Sequence, residues 1–216
     1  MISVFSDEKT IAKFGIAVKR MLNGKLAELP DNSSPRTVGD FAQELITSYF
    51  AELPVSIGKA GTEVFARRSM ADAAFVDKHG NYVIVDVKTH NVGTSFNMPN
   101  LTSVERIARF YEDDANYFSI LMAKYEITNG KPVSSGVLFV PIEHLDWDCL
   151  TIGALGWGQI QIANSNNIKT NATQSRKQWM LKLCDALDVF YPREITKITE
   201  RIAKFKKVRE FWENKS

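Results

Sequence analysis

Asp72, Asp86 and Lys88 are the residues whose types and spacing suit joint chemistry. Asp86-Val87-Lys88 follows the apolar run Tyr82-Val83-Ile84-Val85. Side chains alternate across a strand, so Asp86 and Lys88 share one face. Ser69 to Val76 and Tyr82 to Thr89 read as two strands of a hairpin about Asp77-Lys78-His79-Gly80-Asn81, which returns Asp72 to the side of Asp86. Two carboxylates and an ammonium on one side of a sheet can hold a divalent cation and a water against a phosphate. A phosphodiester repels hydroxide and its alkoxide leaves poorly. Hard oxygen ligands suit Mg2+, which keeps several waters, acidifies one of them and stabilises charge on the phosphorus oxygens. Lys88 would orient that water, help deprotonate it, or neutralise the developing charge. The Val87 carbonyl is a further oxygen ligand. The competing reading is a pair of charges that closes a strand for solubility. Against it, Val83, Val85 and Val87 leave Asp86 in an apolar strand, where a carboxylate is costly unless paired or metal-bound.

The elements that must position these residues are legible from periodicity. Ile11 to Leu29 reads as a helix with Phe14, Val18, Leu22 and Leu26 on one stripe. Pro30 to Pro35 breaks it. A second helix starts near Thr37 with Asp40 as its capping-box partner, an apolar stripe of Phe41, Leu45 and Tyr49, and Glu44 beside that stripe. Pro54 ends it. Arg67 and Arg68 precede Asp72 closely enough to touch a phosphate or to pair with local acids. Leu101 to Tyr117 reads as a helix. Phe118 to Ile127 and Val133 to Ile142 read as strands joined around Asn129-Gly130. Gly153 to Ile162 ends in a strand with Gln159 and Gln161 on one face, and an amide-rich loop, Ala163 to Asn171, follows. A helix capped by Thr173 or Ser175 runs through Leu187, and Pro192 introduces a last helix. Its Lys197, Arg201, Lys204, Lys206, Lys207 and Arg209 form either a solvated face or a flank that contacts phosphates without reading sequence. Strands and helices in this order predict an α/β fold, a central mixed sheet flanked by helices.

The 216 residues fit one domain, and 44% hydrophobic with 24% charged residues is ordinary for a soluble globular chain. A net charge of +2 is not that of a non-specific DNA coat. No apolar run approaches a membrane span. The first ten residues carry no signal-peptide pattern, so a cytoplasmic protein is expected. Cys149 and Cys184 are too few and too scattered for a disulfide framework or a zinc site.

Downstream of Lys88, His90 to Asn100 is rich in asparagine, glycine and hydroxyl residues, and asparagine can bond bidentately to adenine in the major groove. Taken together, Ala71-Asp72 with Asp86-Val87-Lys88, Thr89-His90-Asn91 running on to Met98-Pro99-Asn100, Trp157 to Ile162, and Asn171 to Trp179 resemble the PD-(D/E)xK type II restriction endonucleases of the HincII/EcoRV kind. Ala71 stands where the family has its nominal proline, a position that supplies no ligand. The resemblance implies a restriction-endonuclease-like core in a single domain over 1–216. Residues 1–36 would be an N-terminal helix and linker, 37–145 the catalytic core, and 146–216 the recognition strand, loop and C-terminal helices. It implies Mg2+ on Asp72, Asp86 and the Val87 carbonyl, with Mn2+ as a substitute and Ca2+ supporting binding only. Glu44 would be an accessory acid. DNA would be read by Asn97 and Asn100, with His90, Asn91, Gln159, Gln161, Asn164 and Asn171 around them. A homodimer would cut both strands of a palindrome, leaving blunt ends with 5'-phosphates, in a bacterial or archaeal cytoplasm alongside a cognate DNA methyltransferase. Two rivals stand beside this reading. A structure-specific repair or junction-resolving nuclease would have little use for the amide-rich loops. A non-catalytic DNA-binding protein on the same fold would have lost a catalytic carboxylate or the lysine.

Overall fold

The computed structural model describes residues 2–60 and 72–215; Arg67, Arg68 and the segment Ser69 to Ala71 lie outside them. Among the described residues a five-stranded mixed sheet runs in the order β1 (Gly58–Ala60), β2 (Ala73–Asp77), β3 (Tyr82–Asn91), β5 (Asn116–Thr128) and β6 (Lys131–Pro141). All its pairings are antiparallel except β3 with β5, which is parallel. A three-stranded sheet of β4 (Asn100–Ser103), β8 (Gln159–Ile162) and β7 (Leu150–Gly153) stands beside it.

The β2–β3 hairpin forms as its sequence predicts, with Ala73 opposite Val85 and Gly80 at φ 88° in the turn. The buried Asp77 closes that turn, accepting from the His79 and Asn81 amides and, across the chain, from Val4 N–H. Alternation along β3 then sorts its side chains. Val83, Val85 and Val87 join a core under α1 (Glu8–Leu26) and α2 (Pro35–Tyr49), with Phe14, Val18, Leu22 and Leu26 facing it from α1. Ile84 joins a second core on the opposite face, built from Phe118, Ile120 and Met122 of β5, the small sheet, α3 (Val104–Phe110) and Trp179. The helices therefore flank a mixed sheet, as expected of an α/β chain. No helix among the described residues is long and apolar enough to cross a membrane.

Several boundaries differ from the sequence reading; among them, the helix expected over Leu101 to Tyr117 ends at Phe110, and Tyr117 already lies in β5. α2 begins at Pro35, capped by the Ser34 hydroxyl, and its buried line is Val38, Ala42 and Ile46; Phe41, Leu45 and Tyr49 are half-buried on its flank. Proline at the first helical position needs no N–H partner, so Pro35 starts the helix instead of breaking the chain before it. Leu101 to Ser103 pairs with β8 as strand, and the helix starts only where Ser103 caps it through the Arg106 N–H. One helix, α4 (Arg176–Glu213), replaces the two expected C-terminal helices: Ser175 and Gln178 form its capping box, and it runs through Pro192. Proline costs that helix one backbone bond, and it is borne where the helix is already exposed. The start of α4 is fastened by Arg176, which bonds the buried Glu143 and stacks over Tyr111 and Tyr117.

Candidate active site

The carboxylate pair is assembled by the hairpin register. Asp72 precedes β2 and donates its N–H to the Val85 carbonyl, which extends the pairing toward Asp86. Its Oδ2 accepts from Val87 N–H at 2.7 Å and its Oδ1 from the Gln43 side-chain amide at 3.0 Å. In a strand a residue's N–H and C=O point the same way, so the Val87 carbonyl faces the side on which Asp72 lies. Lys88 Nζ lies 2.7 Å from Asp86 Oδ1. The structure thus brings Asp72 to the Val87 backbone and Lys88 to Asp86, with Asp72 near enough for its charge to act on Asp86.

Asp86 is 5% exposed, with Ile84 before it on the same face and Ile120 beside it on β5. Burial among these apolar neighbours pushes its carboxyl up to about 7; the Lys88 charge and hydrogen bond partly oppose that, and the nearby Asp72 charge adds to it. Its Oδ2 is buried with no hydrogen-bond partner among the described residues. An orphaned oxygen of this kind costs stability unless something completes it. The donor set fits Mg2+: two carboxylates, whose oxygens each keep a lone pair beyond the bonds already made, and one backbone carbonyl, with water for the rest. No three His, Cys, Asp or Glu side chains gather as a metal cluster among the described residues, so Glu44 does not complete a three-acid set. Glu44 is exposed on α2. The preceding residue, Gln43, is the one that reaches Asp72. The helical phase explains the substitution: with Ala42 and Ile46 buried, Gln43 lies on the flank toward β3 and Glu44 turns to solvent. Gly39 supports that approach, since a Cβ there would meet Thr89 Oγ1 at 2.9 Å.

Farther along the same face of β3, His90 is buried and bridges both amide-rich loops. Its Nε2 is 2.7 Å from Asn166 Oδ1, and its Nδ1 is 3.2 Å from Asn97 Nδ2. Asn166 also donates to the Thr94 carbonyl, and Asn164 to that of Ser95. His90 and Asn97 thus hold the loops to β3. Asn91 accepts from Gly93 N–H, and Asn171 accepts from both the amide and hydroxyl of Thr173, so each closes a local turn. Asn166 carries more of the loop architecture than its neighbours, and nothing in the sequence distinguished it from them.

Asn100 and Gln161 face each other across β4 and β8, with Gln161 Nε2 donating to Asn100 Oδ1 at 2.6 Å. Asn100 is exposed, and the pair leaves the Asn100 amide donors and a Gln161 acceptor unspent. Gln159 is half-buried two residues earlier on β8. A Cβ on Gly153 would meet Gln161 Oε1 at 2.6 Å, so glycine is what lets that amide lie across β7. On the expectation that Gln161 reads a base edge, Gly153→Ala should displace its amide and lower affinity for a cognate duplex about tenfold, the scale of one bidentate base contact. An unchanged melting curve with weakened binding in a gel-shift titration is the expected result; unchanged binding would remove Gln161 from the reading surface.

Compared with protein-family models and with curated proteins, the chain matches none in sequence.

Proposed function

We propose that the chain is a Mg2+-dependent endonuclease of the type II restriction kind, which cuts both strands of a palindromic double-stranded DNA site as a homodimer. The observation that carries this reading is the buried, unpartnered Oδ2 of Asp86, with Lys88 on its other oxygen and Asp72 on the adjoining strand. A buried ion pair repays its desolvation only when its remaining lone pairs are satisfied, and here one carboxylate oxygen is not. The mixed α/β sheet flanked by helices supports the restriction-endonuclease-like core that the sequence resembles.

Asp72, Asp86 and the Val87 carbonyl would hold the cation. When bound, Mg2+ supplies an acidified water and charge neutralisation at the scissile phosphate. Asp86 fixes Lys88 Nζ beside the metal ligands, where the ammonium orients the attacking water and stabilises charge on the phosphate oxygens. Asp72 is itself held by Gln43 and the Val87 amide, so the distance between the two carboxylates is set by α2 and β3 and not by a loop. His90 ties the polar loops to the strand that carries Asp86 and Lys88, which couples base reading to the hydrolytic pair. The exposed Asn100–Gln161 amide pair is the element best placed to read a base edge.

The test is purified protein on plasmid and phage DNA with Mg2+, followed by sequencing of fragment ends. Discrete fragments sharing one palindrome with blunt, 5'-phosphorylated ends are expected. Smeared products would favour a structure-directed nuclease, and specific binding without cleavage would favour a non-catalytic DNA-binding protein. Ca2+ in place of Mg2+ should support binding and reduce turnover by about a thousandfold, because Ca2+ prefers longer bonds and more ligands than this donor set offers. Efficient cleavage in Ca2+ would contradict the assignment.

A further inference from the structure

Only the first part of α4 rests on the body of the protein. Trp179 and Leu183 are buried and Glu194 is half-buried, but every residue from Ile195 to Lys215 is exposed. Within that stretch Ile195, Ile198, Ile202, Phe205 and Trp212 recur at alternating spacings of three and four, interrupted once by Arg209. Phe205 is 68% exposed and Trp212 60%. An isolated helix of this length is marginal in water, and an apolar stripe at this spacing, broken here only at Arg209, has the phase of a coiled-coil seam. A stripe this large on an exposed helix marks a covered surface.

We infer that this stripe is a dimerisation seam, occupied by the same stretch of a second copy running antiparallel. Three features select that occupant. The exposed apolar side chains offer on the order of 700 Å² per copy, close to what one partner buries in a stable interface. In the antiparallel register, Ile202 opposes the partner's Phe205 and Ile195 the partner's Trp212. That register lays Ile195 to Trp212 of one copy against Trp212 to Ile195 of the other, so the two apolar stripes overlap along their whole length. Charge decides the direction. A parallel seam would set Arg201 against the partner's Lys206 on both sides, whereas the antiparallel one sets Arg201 beside the partner's Val208 and Lys206 beside the partner's Thr199. Arg209 is tolerated opposite the partner's Ile198 because its guanidinium is bound to Glu213 at 3.1 Å and its stem can lie on apolar surface. The seam deepens the proposed function by supplying its homodimer but makes no use of the carboxylate pair, so sedimentation tests the seam and cleavage assays test the hydrolytic site separately.

The test is sedimentation equilibrium of the full chain at micromolar concentrations. The wild type should be a dimer. Ile198→Asp with Ile202→Asp should weaken association about a hundredfold while the near-ultraviolet signature of the body is kept, and Glu200→Lys, on the outer face, should leave it unchanged. Orientation is read without disturbing the seam, by spin labels on Asn214→Cys in a Cys184→Ser background. Antiparallel helices place them about 30 Å apart, parallel ones about 10 Å. A monomeric wild type, a dimer that survives the paired aspartates, or a label distance near 10 Å would each overturn the proposal.

Discussion

Lys88→Ala should cut DNA about a thousandfold more slowly than wild type while still folding and still binding its site in Ca2+. The ammonium is the only cation bonded to Asp86 among the described residues, and it is itself partly exposed, so its removal should not collapse the core. It should cost stability all the same. Without Lys88 the attraction that partly offsets burial at Asp86 is gone, so the carboxyl is pushed up further and the folded state must either bury its charge or take up a proton at pH 8, each at a cost to stability. Breaking a fully buried pair costs about 3–5 kcal/mol, and the partial exposure of Lys88 and entry of water should hold the loss here to about 2 kcal/mol at pH 8. Single-turnover cleavage in Mg2+, gel shift in Ca2+ and urea melts at pH 8 separate these effects. A variant that cuts at near wild-type rate would remove Lys88 from the site.

The hairpin and the pair of acids were legible because each depends on local rules. Period-two alternation fixes the faces of β3, and a turn with Gly80 at positive φ fixes the register that returns Asp72. The α1 stripe was legible for the same reason: Phe14, Val18, Leu22 and Leu26 are all buried. Gln43 was not, because two overlapping apolar lines run along α2 and only packing against β3 chooses Val38, Ala42 and Ile46. That choice rotates Glu44 outward and Gln43 toward Asp72. β4 was misread as helix because Leu101 continues the stripe of α3, while the pairing that makes it strand comes from β8, some sixty residues on. The role of His90 was hidden for a related reason. Its partners Asn97 and Asn166 come from two loops whose many amides look alike until tertiary contacts single out two of them.

Asp86→Asn should cut cleavage at least as far as Lys88→Ala does, yet move stability in the opposite direction. In the folded protein the Asp86 carboxyl is pushed up to about 7 by burial. In the unfolded chain it returns to about 3.9. Between those values the folded state keeps a proton that the unfolded state has released. This group therefore lowers stability progressively as pH rises from about 4 to about 7, and the whole penalty persists above that window. About three units of difference set an upper limit near 4 kcal/mol, and relaxation should leave about 2 kcal/mol. Asparagine carries no charge to desolvate. At pH 8 without metal, Asp86→Asn should thus melt several degrees above wild type, and near pH 4 the two should coincide. Mg2+ should raise the melting temperature of wild type and not of the variant, because a ligand stabilises only the state that binds it. A structural ion pair predicts the reverse: losing either partner would weaken the fold at pH 8. Should Asp86→Asn melt below wild type there, the buried carboxylate is not kept at a cost to the fold, and the hydrolytic reading of Asp72, Asp86 and Lys88 loses its main support.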